Sequence, residues 1–505
     1  MDFFILLLIY IFFGIFLVKT FSKLTFLGMK TSQSLLKNFI LLPFFPLFFI
    51  FKGFKKEGFM SFFEVMELFK NSNKGFVIDG YNKRLSRESS FQNLLITGAS
   101  GTGKSSVYMY SNIFTLAKNR QKNSLIISDP KMDFINKCSG YLKKNGYEIY
   151  SLNPLNLEQS IYYNPLVNCK SDSDLDQLSR IIISSAYSGN IKQEDKFWLN
   201  GAIKFIFIIS HCLINTKKTS IMNLPNVLHC LNSFGNKGQG LDKFIAKYAS
   251  TKIYNMWLGL INSPENVLLS FLSTAQNALV SIGVNQNVEK ILSKNTFNFK
   301  DLREKKIAIF INIPPQFAEQ MSFISNLFYT QMFEALTPIP TKKQCDVFTL
   351  LDEIGQYKIS KLHTYTTFLR QSRVGFMLLI QDYNQLISKY GANNASVIVN
   401  GGVSTKVYFT DTEINTAQEL SKRIGQKKIK QQNGGFIKDE IMPLNEVLTM
   451  KKNEVLFFHS SYKPVKLKVK KYFEVPKFKI YSNLKPYIKT NQINFNVPYI
   501  DFRSL

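Results

Sequence analysis

The short apolar run Asn93-Leu94-Leu95-Ile96-Thr97 ends on Gly98-Ala99-Ser100-Gly101-Thr102-Gly103-Lys104-Ser105. No other segment restricts the fold of this chain as strongly. A buried strand, a glycine-rich turn and a helix opening at Ser106 form a loop whose backbone N–H groups converge on phosphate oxygens. The spacing G-x-x-x-x-G-K-[ST] assigns the parts. Lys104 reaches the outer phosphates, the Ser105 hydroxyl ligates magnesium, and Gly98 to Ser106 make up the nucleotide-contacting set. The expected ligands are ATP and Mg2+.

A nucleotide-hydrolysing site also needs a carboxylate to hold magnesium through water and a second acid to polarise the attacking water. Val347-Phe-Thr-Leu-Leu351-Asp352-Glu353 supplies both at the end of an apolar run: Asp352 for the metal and Glu353 as general base. Without the glycine loop the same segment would read as a strand closing on two surface acids. Further strand-like runs are Ser124 to Ser128, closing on Asp129-Pro130-Lys131, then Ile307 to Ile313, Phe376 to Ile380, Lys406 to Phe409 and Val455 to His459. Short apolar strands separated by helical stretches predict an α/β fold with a wound parallel sheet. Polar residues at the strand ends would then gather along one sheet edge. Gln381, which follows Ile380, is thereby a candidate sensor of the γ-phosphate, or else a capped strand end.

The formal charge of +28, from 63 Lys and Arg against 35 Asp and Glu, suits a polyanionic partner such as nucleic acid or an anionic membrane surface. It also follows from a general excess of Lys, Asn, Ile and Phe without any binding role. Cys138, Cys169, Cys212, Cys230 and Cys345 never approach C-x-x-C spacing, and His211, His229, His363 and His459 form no paired-ligand pattern. A metallohydrolase and a structural zinc are not expected, and the thiols read as buried and reduced.

From Phe3 to Val18 the chain is apolar apart from the Tyr10 hydroxyl, and Lys19 can snorkel so that a helix continues toward Leu24. That approaches the roughly 20 residues of a bilayer span. A second run, Phe39 to Phe51, carries Pro43 and Pro46 and is followed by Lys52, Lys55 and Lys56. It reads as a kinked span or an interfacial segment. One span leaves the N-terminus outside, as the positive-inside tendency prefers, and two spans leave it inside. Both versions put everything after about residue 52 in the cytoplasm.

Taken in order, Gly98 to Ser105, Asp129-Pro-Lys131, Asp195-Lys-Phe-Trp198, Leu351-Asp-Glu-Ile-Gly355, Gln381-Asp-Tyr-Asn-Gln385-Leu386, Asn400 and Thr412-Glu413 through Ala417 to Gly425 resemble the motif series of the TraG/TraD-like type IV secretion coupling proteins. The resemblance implies a RecA-like P-loop nucleotide-binding domain (53–170 and 295–475), interrupted by an inserted all-α domain (171–294). It also implies a transmembrane anchor (1–52, with segments 3–24 and 38–52), a C-terminal tail (476–505) and assembly as a homo-hexamer. Helical patterns over Asp174 to Ala186 and Phe197 to Asn215 agree with the insertion. In that domain Asp195, Phe197 and Trp198 either engage substrate or, for the two aromatics, form core at a helix start. Ring assembly further implies an arginine supplied by the neighbouring subunit: Arg373 is the candidate, with Arg370 and Arg423 as alternatives. The chain departs from the family pattern at Met132, where glycine is usual, at Ile354 and at Asp382.

The function implied is that of a bacterial inner-membrane ATPase with its motor domain in the cytoplasm. It would hand DNA, without reading sequence, or a relaxase-bound complex to a type IV secretion channel. A receptor that delivers effector proteins to the channel and a FtsK/HerA-type DNA pump are the alternatives. The loop between the two apolar runs, at most about 20 residues if it is external, is short for channel docking, and no acidic C-terminal recruiting tail is expected.

Overall fold

The computed structural model describes residues 58–502 apart from 71–73, 188–194, 236–238, 411–412, 431–435 and 491–494. The expected membrane anchor therefore lies outside the described residues. The strands are β1 (Lys74–Val77), β2 (Arg84–Ser86), β3 (Leu94–Thr97), β4 (Asn123–Ser128), β5 (Glu148–Leu152), β6 (Ile307–Ile311), β7 (Asp346–Leu351), β8 (Val374–Ile380), β9 (Thr405–Phe409), β10 (Gln426–Lys430), β11 (Phe436–Glu440), β12 (Glu454–His459) and β13 (Val465–Lys468). A nine-stranded sheet runs in the order β13-β12-β9-β3-β8-β7-β4-β6-β5. From β9 to β5 all neighbours are parallel, while β12 pairs antiparallel with β9 and with β13.

Strands covered on both faces must be apolar along their whole length, and β3, β4, β6, β7 and β8 are buried at every residue. Their side chains alternate between two cores. Leu94 and Ile96 point to one face, Leu95 to the other; Phe348 and Leu350 to the first, Val347 and Leu351 to the second. Against the first face pack α1 (Phe62–Phe69), α2 (Tyr110–Ala117), α3 (Asp133–Lys144) and a helix near the C-terminus, Pro476–Ser482.

The other face meets α4 (Asp172–Ala186), α5 (Asp195–Asn215), α6 (Leu224–Asn232), α7 (Glu265–Ala278) and α8 (Ser322–Ala335). The first four belong to the long helical excursion between β5 and β6, whose core runs without a break into that of the sheet. Ser171 and Asp174 form a reciprocal cap that starts α4. By length and composition α5 could cross a membrane. Ala202, Phe205, Ile206, Ile208, Ile209, Cys212 and Leu213 are instead buried in protein, so α5 is a core helix. It approaches α7 at Gly201, where an added Cβ would lie 2.2 Å from the Phe271 ring. At the start of α5, Phe197 and Trp198 cluster with Phe271 but remain 56% and 36% exposed. Their reading as core residues is corrected accordingly: they cap the surface end of the helix pair.

At the sheet edge opposite the glycine loop, the Asp346 carboxylate lies between Arg87 and Arg373. The last residues, Phe495 to Phe502, lie on the helical excursion. Asn226 Nδ2 donates to the Pro498 carbonyl (2.9 Å), the Ile500 amide donates to Asn226 Oδ1 (3.0 Å), and Phe502 stacks on His229.

Candidate nucleotide site

The sheet order decides what can meet at the end of β3. Because β8 lies between β3 and β7, Gln381 stands between the glycine loop and Asp352-Glu353. The Gly98 amide donates to Ile380 O (3.3 Å) and the Ile354 amide to Leu379 O (3.1 Å), which ties all three strand ends together. Gly98 passes so close over β9 that an added Cβ would lie 2.7 Å from Phe409 Cβ, while Gly101 and Gly103 carry φ of +79° and +97°. Side chains are strained in that region, so these positions need glycine. Thr102 Oγ1 donates to Ala99 O (2.8 Å) and fixes the turn, with Ser100 and Gly101 exposed at its tip.

Lys104 is 7% exposed, and its ammonium donates to Gly98 O (2.5 Å) and Ala99 O (2.9 Å). Burial pushes its pKa down, against the pull of Asp352 and Glu353. Ser105 Oγ donates to Asp352 Oδ2 (2.8 Å), while Asp352 Oδ1 is buried with no hydrogen-bond partner. Burial pushes the Asp352 carboxyl up to about 6; the Ser105 bond counters this, and Glu353 adds to it. A hydroxyl beside a buried carboxylate with one oxygen unsatisfied fits a hydrated divalent cation, which prefers a few oxygen ligands plus water. Glu353 is half-buried at φ +52°, a left-handed conformation that costs a non-glycine residue about 1–3 kcal/mol and gathers at functional positions. Gln381 Oε1 accepts from Gln385 Nε2 (3.2 Å), which fixes its amide. Ser106 is half-buried in the π-helical turn Ser105–Met109 that opens the helix.

Asp129 caps α3 by accepting from Phe134 N (3.1 Å) and Ile135 N (2.7 Å), and burial pushes its carboxyl up to about 6 against those bonds. Met132, where the related pattern has glycine, has φ +59°; the turn needs a left-handed residue and this chain supplies it from methionine.

Arg373 lies away from this chain's own site, as a residue supplied to a neighbouring subunit would. Its guanidinium is paired with buried Asp346 at the start of β7, and the seven residues of β8 put it about 23 Å along the strand from Gln381. Arg423 lies over the Phe458 ring at 4.6 Å. Arg370 is exposed.

Lys471 escaped the sequence reading. A Cβ on Gly103 would lie 3.0 Å from its Cε and 3.8 Å from its Nζ, so a second ammonium lies against the loop. The only signal was a lysine pair, Lys470-Lys471, in a region rich in lysine. Tyr329 and Tyr357, also unnoticed, line a cavity of about 30 Å³ behind Asp352 and Glu353, with their rings stacked and both phenols buried.

These strand ends, glycine turn and paired acids define a P-loop nucleotide-binding α/β protein. The chain belongs to the type IV secretory system conjugative DNA transfer family, whose model matches residues 63–496. It is 22% identical over 326 residues to protein VirD4 of Rhizobium radiobacter, covering 62% of this chain and 46% of that protein. With VirD4 of Agrobacterium fabrum it shares 21% over 376 residues, 70% and 55% of the respective lengths. The matched region thus spans about half the length of these curated relatives. Among solved structures, the plasmid coupling protein TrwB in complex with a non-hydrolysable GTP analogue superposes with TM-score 0.64 at 15% identity, covering 81% of this chain and 92% of that one. TrwB in complex with ADP and Mg2+ gives 0.63 at 14%, covering 82% and 93%. The likeness to TrwB is one of fold.

Proposed function

We propose that this protein is a membrane-anchored ATPase that passes DNA or a nucleoprotein complex to a type IV secretion channel. The observation that carries the reading is the Ser105–Asp352 pair with Asp352 Oδ1 left unsatisfied, next to Glu353. The VirD4 and TrwB likenesses and the family membership support the transfer role.

In this reading the N–H groups of the loop from Gly101 to Ser106, with Lys104, hold the phosphates. Ser105 and Asp352 would hold Mg2+, which would neutralise phosphate charge there. To reach the phosphates, Lys104 gives up the Gly98 and Ala99 carbonyls. Glu353 accepts a proton from the attacking water, and the Gln381 amide, fixed by Gln385, senses the outer phosphate. Of the three arginines weighed, Arg370 and Arg423 are exposed and available to a neighbouring subunit of a ring, while Arg373 is half-buried against Asp346. DNA is bound without sequence readout, so its affinity falls steeply with salt. The anchor precedes residue 53 and holds the chain in the bacterial inner membrane.

The test is ATP turnover by the full chain in detergent, with and without DNA, beside Lys104→Ala. Turnover that rises with DNA and vanishes in the variant supports the reading. Turnover indifferent to DNA would move the protein to the effector-receptor class.

A further inference from the structure

The hairpin of β10 and β11 stands outside every core. Its register pairs Lys428 directly with Lys438 and Ile429 directly with Ile437. Because side chains alternate along a strand, one face of the ribbon carries the two lysines with Phe436, and the other carries the two isoleucines. Phe436 is 66% exposed, Ile437 49% and Ile429 37%, and both lysines are exposed. Like charges directly opposite destabilise a two-stranded ribbon, and the Phe436 ring beside them stands in water. The lysine face thus presents two cations and an exposed ring to a single partner, one that is anionic and apolar at once.

The root of the hairpin shows where that partner lies. Ile441, which follows β11, and Ile424, which precedes β10, are buried with Phe59. A Cβ on Gly58 would lie 2.4 Å from Ile441 Cδ1. The chain thus enters the described structure at the foot of this hairpin. Between Lys52, the end of the second apolar segment, and Gly58 lie 58 − 52 = 6 residue steps, which reach at most about 20 Å when extended. The five paired residues of each strand span about 17 Å. If residues 1–52 anchor the chain, the bilayer surface is within the reach of the hairpin.

We propose that the β10–β11 hairpin rests its lysine face on the anionic surface of the membrane, with Lys428 and Lys438 on lipid phosphates and Phe436 at the interface. This rests on the anchor reading. A duplex nucleic acid backbone would satisfy the lysines but leave the Phe436 ring wet; a second copy of this chain docked on the same face would set its own Lys428 and Lys438 against these.

The test uses the full chain in lipid nanodiscs, with Gln426→Cys, on the lysine face, carrying a fluorescent dye; the five native cysteines are buried and free. Quenching by spin-labelled lipid chains reports contact. We expect quenching in phosphatidylglycerol-containing discs and much less in phosphatidylcholine discs. Lys428→Glu with Lys438→Glu should lose it, and the double arginine variant should keep it, while ATP turnover stays unchanged in both. Each lysine removed should weaken contact about fivefold at low salt. A dye unquenched in anionic discs, quenching insensitive to the double glutamate variant, or protection by DNA instead of lipid would overturn the proposal. Failure of the chain to enter discs at all would overturn the anchor reading, and this proposal with it.

Discussion

Asp352 carries two opposite demands in one side chain. In the free protein, burial favours its protonated form, whereas a magnesium ligand must be ionised. Because its folded pKa is raised to about 6, it binds more protons folded than unfolded, so its destabilising effect is full above pH 6 and fades as pH falls toward 4. Asp129 acts in the same direction. Between pH 7 and 5, Mg2+-dependent nucleotide affinity should therefore fall, by about tenfold per unit below pH 6, while the thermal midpoint of the free protein holds or rises. Fluorescent-ADP titrations beside calorimetry check both arms, and a midpoint that falls over that range would contradict the assignment. Glu353→Gln should reduce kcat at least about 100-fold, with ADP affinity within a few-fold of the parent. Lys471→Ala should weaken ADP binding several-fold and leave kcat at saturating ATP nearly unchanged. A loss confined to kcat would remove Lys471 from the phosphate loop.

At the scale of elements, the Arg87–Asp346–Arg373 cluster locks the start of β7 to β8 from the edge opposite the nucleotide. Arg303 adds to the positive field around Asp346 and donates to the carbonyls of Cys345 and Leu336. Asp346→Ala would leave buried guanidinium groups uncompensated and should cost about 3–5 kcal/mol in denaturant unfolding; a cost below 1 kcal/mol would mean that water reaches the cluster. Gly201→Val should force α5 and α7 apart at Phe271 and cost about 1–3 kcal/mol. The sequence revealed the strands with an apolar centre, β3, β4, β6, β7, β8, β9 and β12, whose polar residues stand mostly at their ends. It concealed β5, where Glu148 and Tyr150 interrupt the pattern at a sheet edge, and β13, an edge strand with lysines at alternate positions. Chain order also cannot reveal that β8 inserts between β3 and β7. Gln381 was nonetheless found, because a polar residue closing an apolar run is a local signal. The pairing of Arg373 with Asp346 was hidden because the two are distant in sequence.

Across the whole molecule the final segment joins parts that the order of elements keeps separate. Pro476–Ser482 packs with Phe114 and Tyr141 on one face of the sheet, and Tyr487 N bonds Ser139 Oγ (2.9 Å). Lys489 then lies over Tyr150, Phe495 meets Tyr162, and Ile500 and Phe502 reach α6. Removing residues from Phe495 onward should speed hydrogen exchange in α6 at Asn226 to Leu231 by more than about tenfold, with little change in β3; equal protection in both forms would show the contact to be passive. Beyond the apolar core they share, the helical excursion and the sheet are joined by the chain at three places: where it leaves β5, where it returns to β6, and where the tail lands. A body joined at two neighbouring points can swing about the line through them like a door, once the packing between the leaves gives way. A third attachment off that line removes the axis, so the helices and the sheet of this chain move as a single lever unless the tail first lets go.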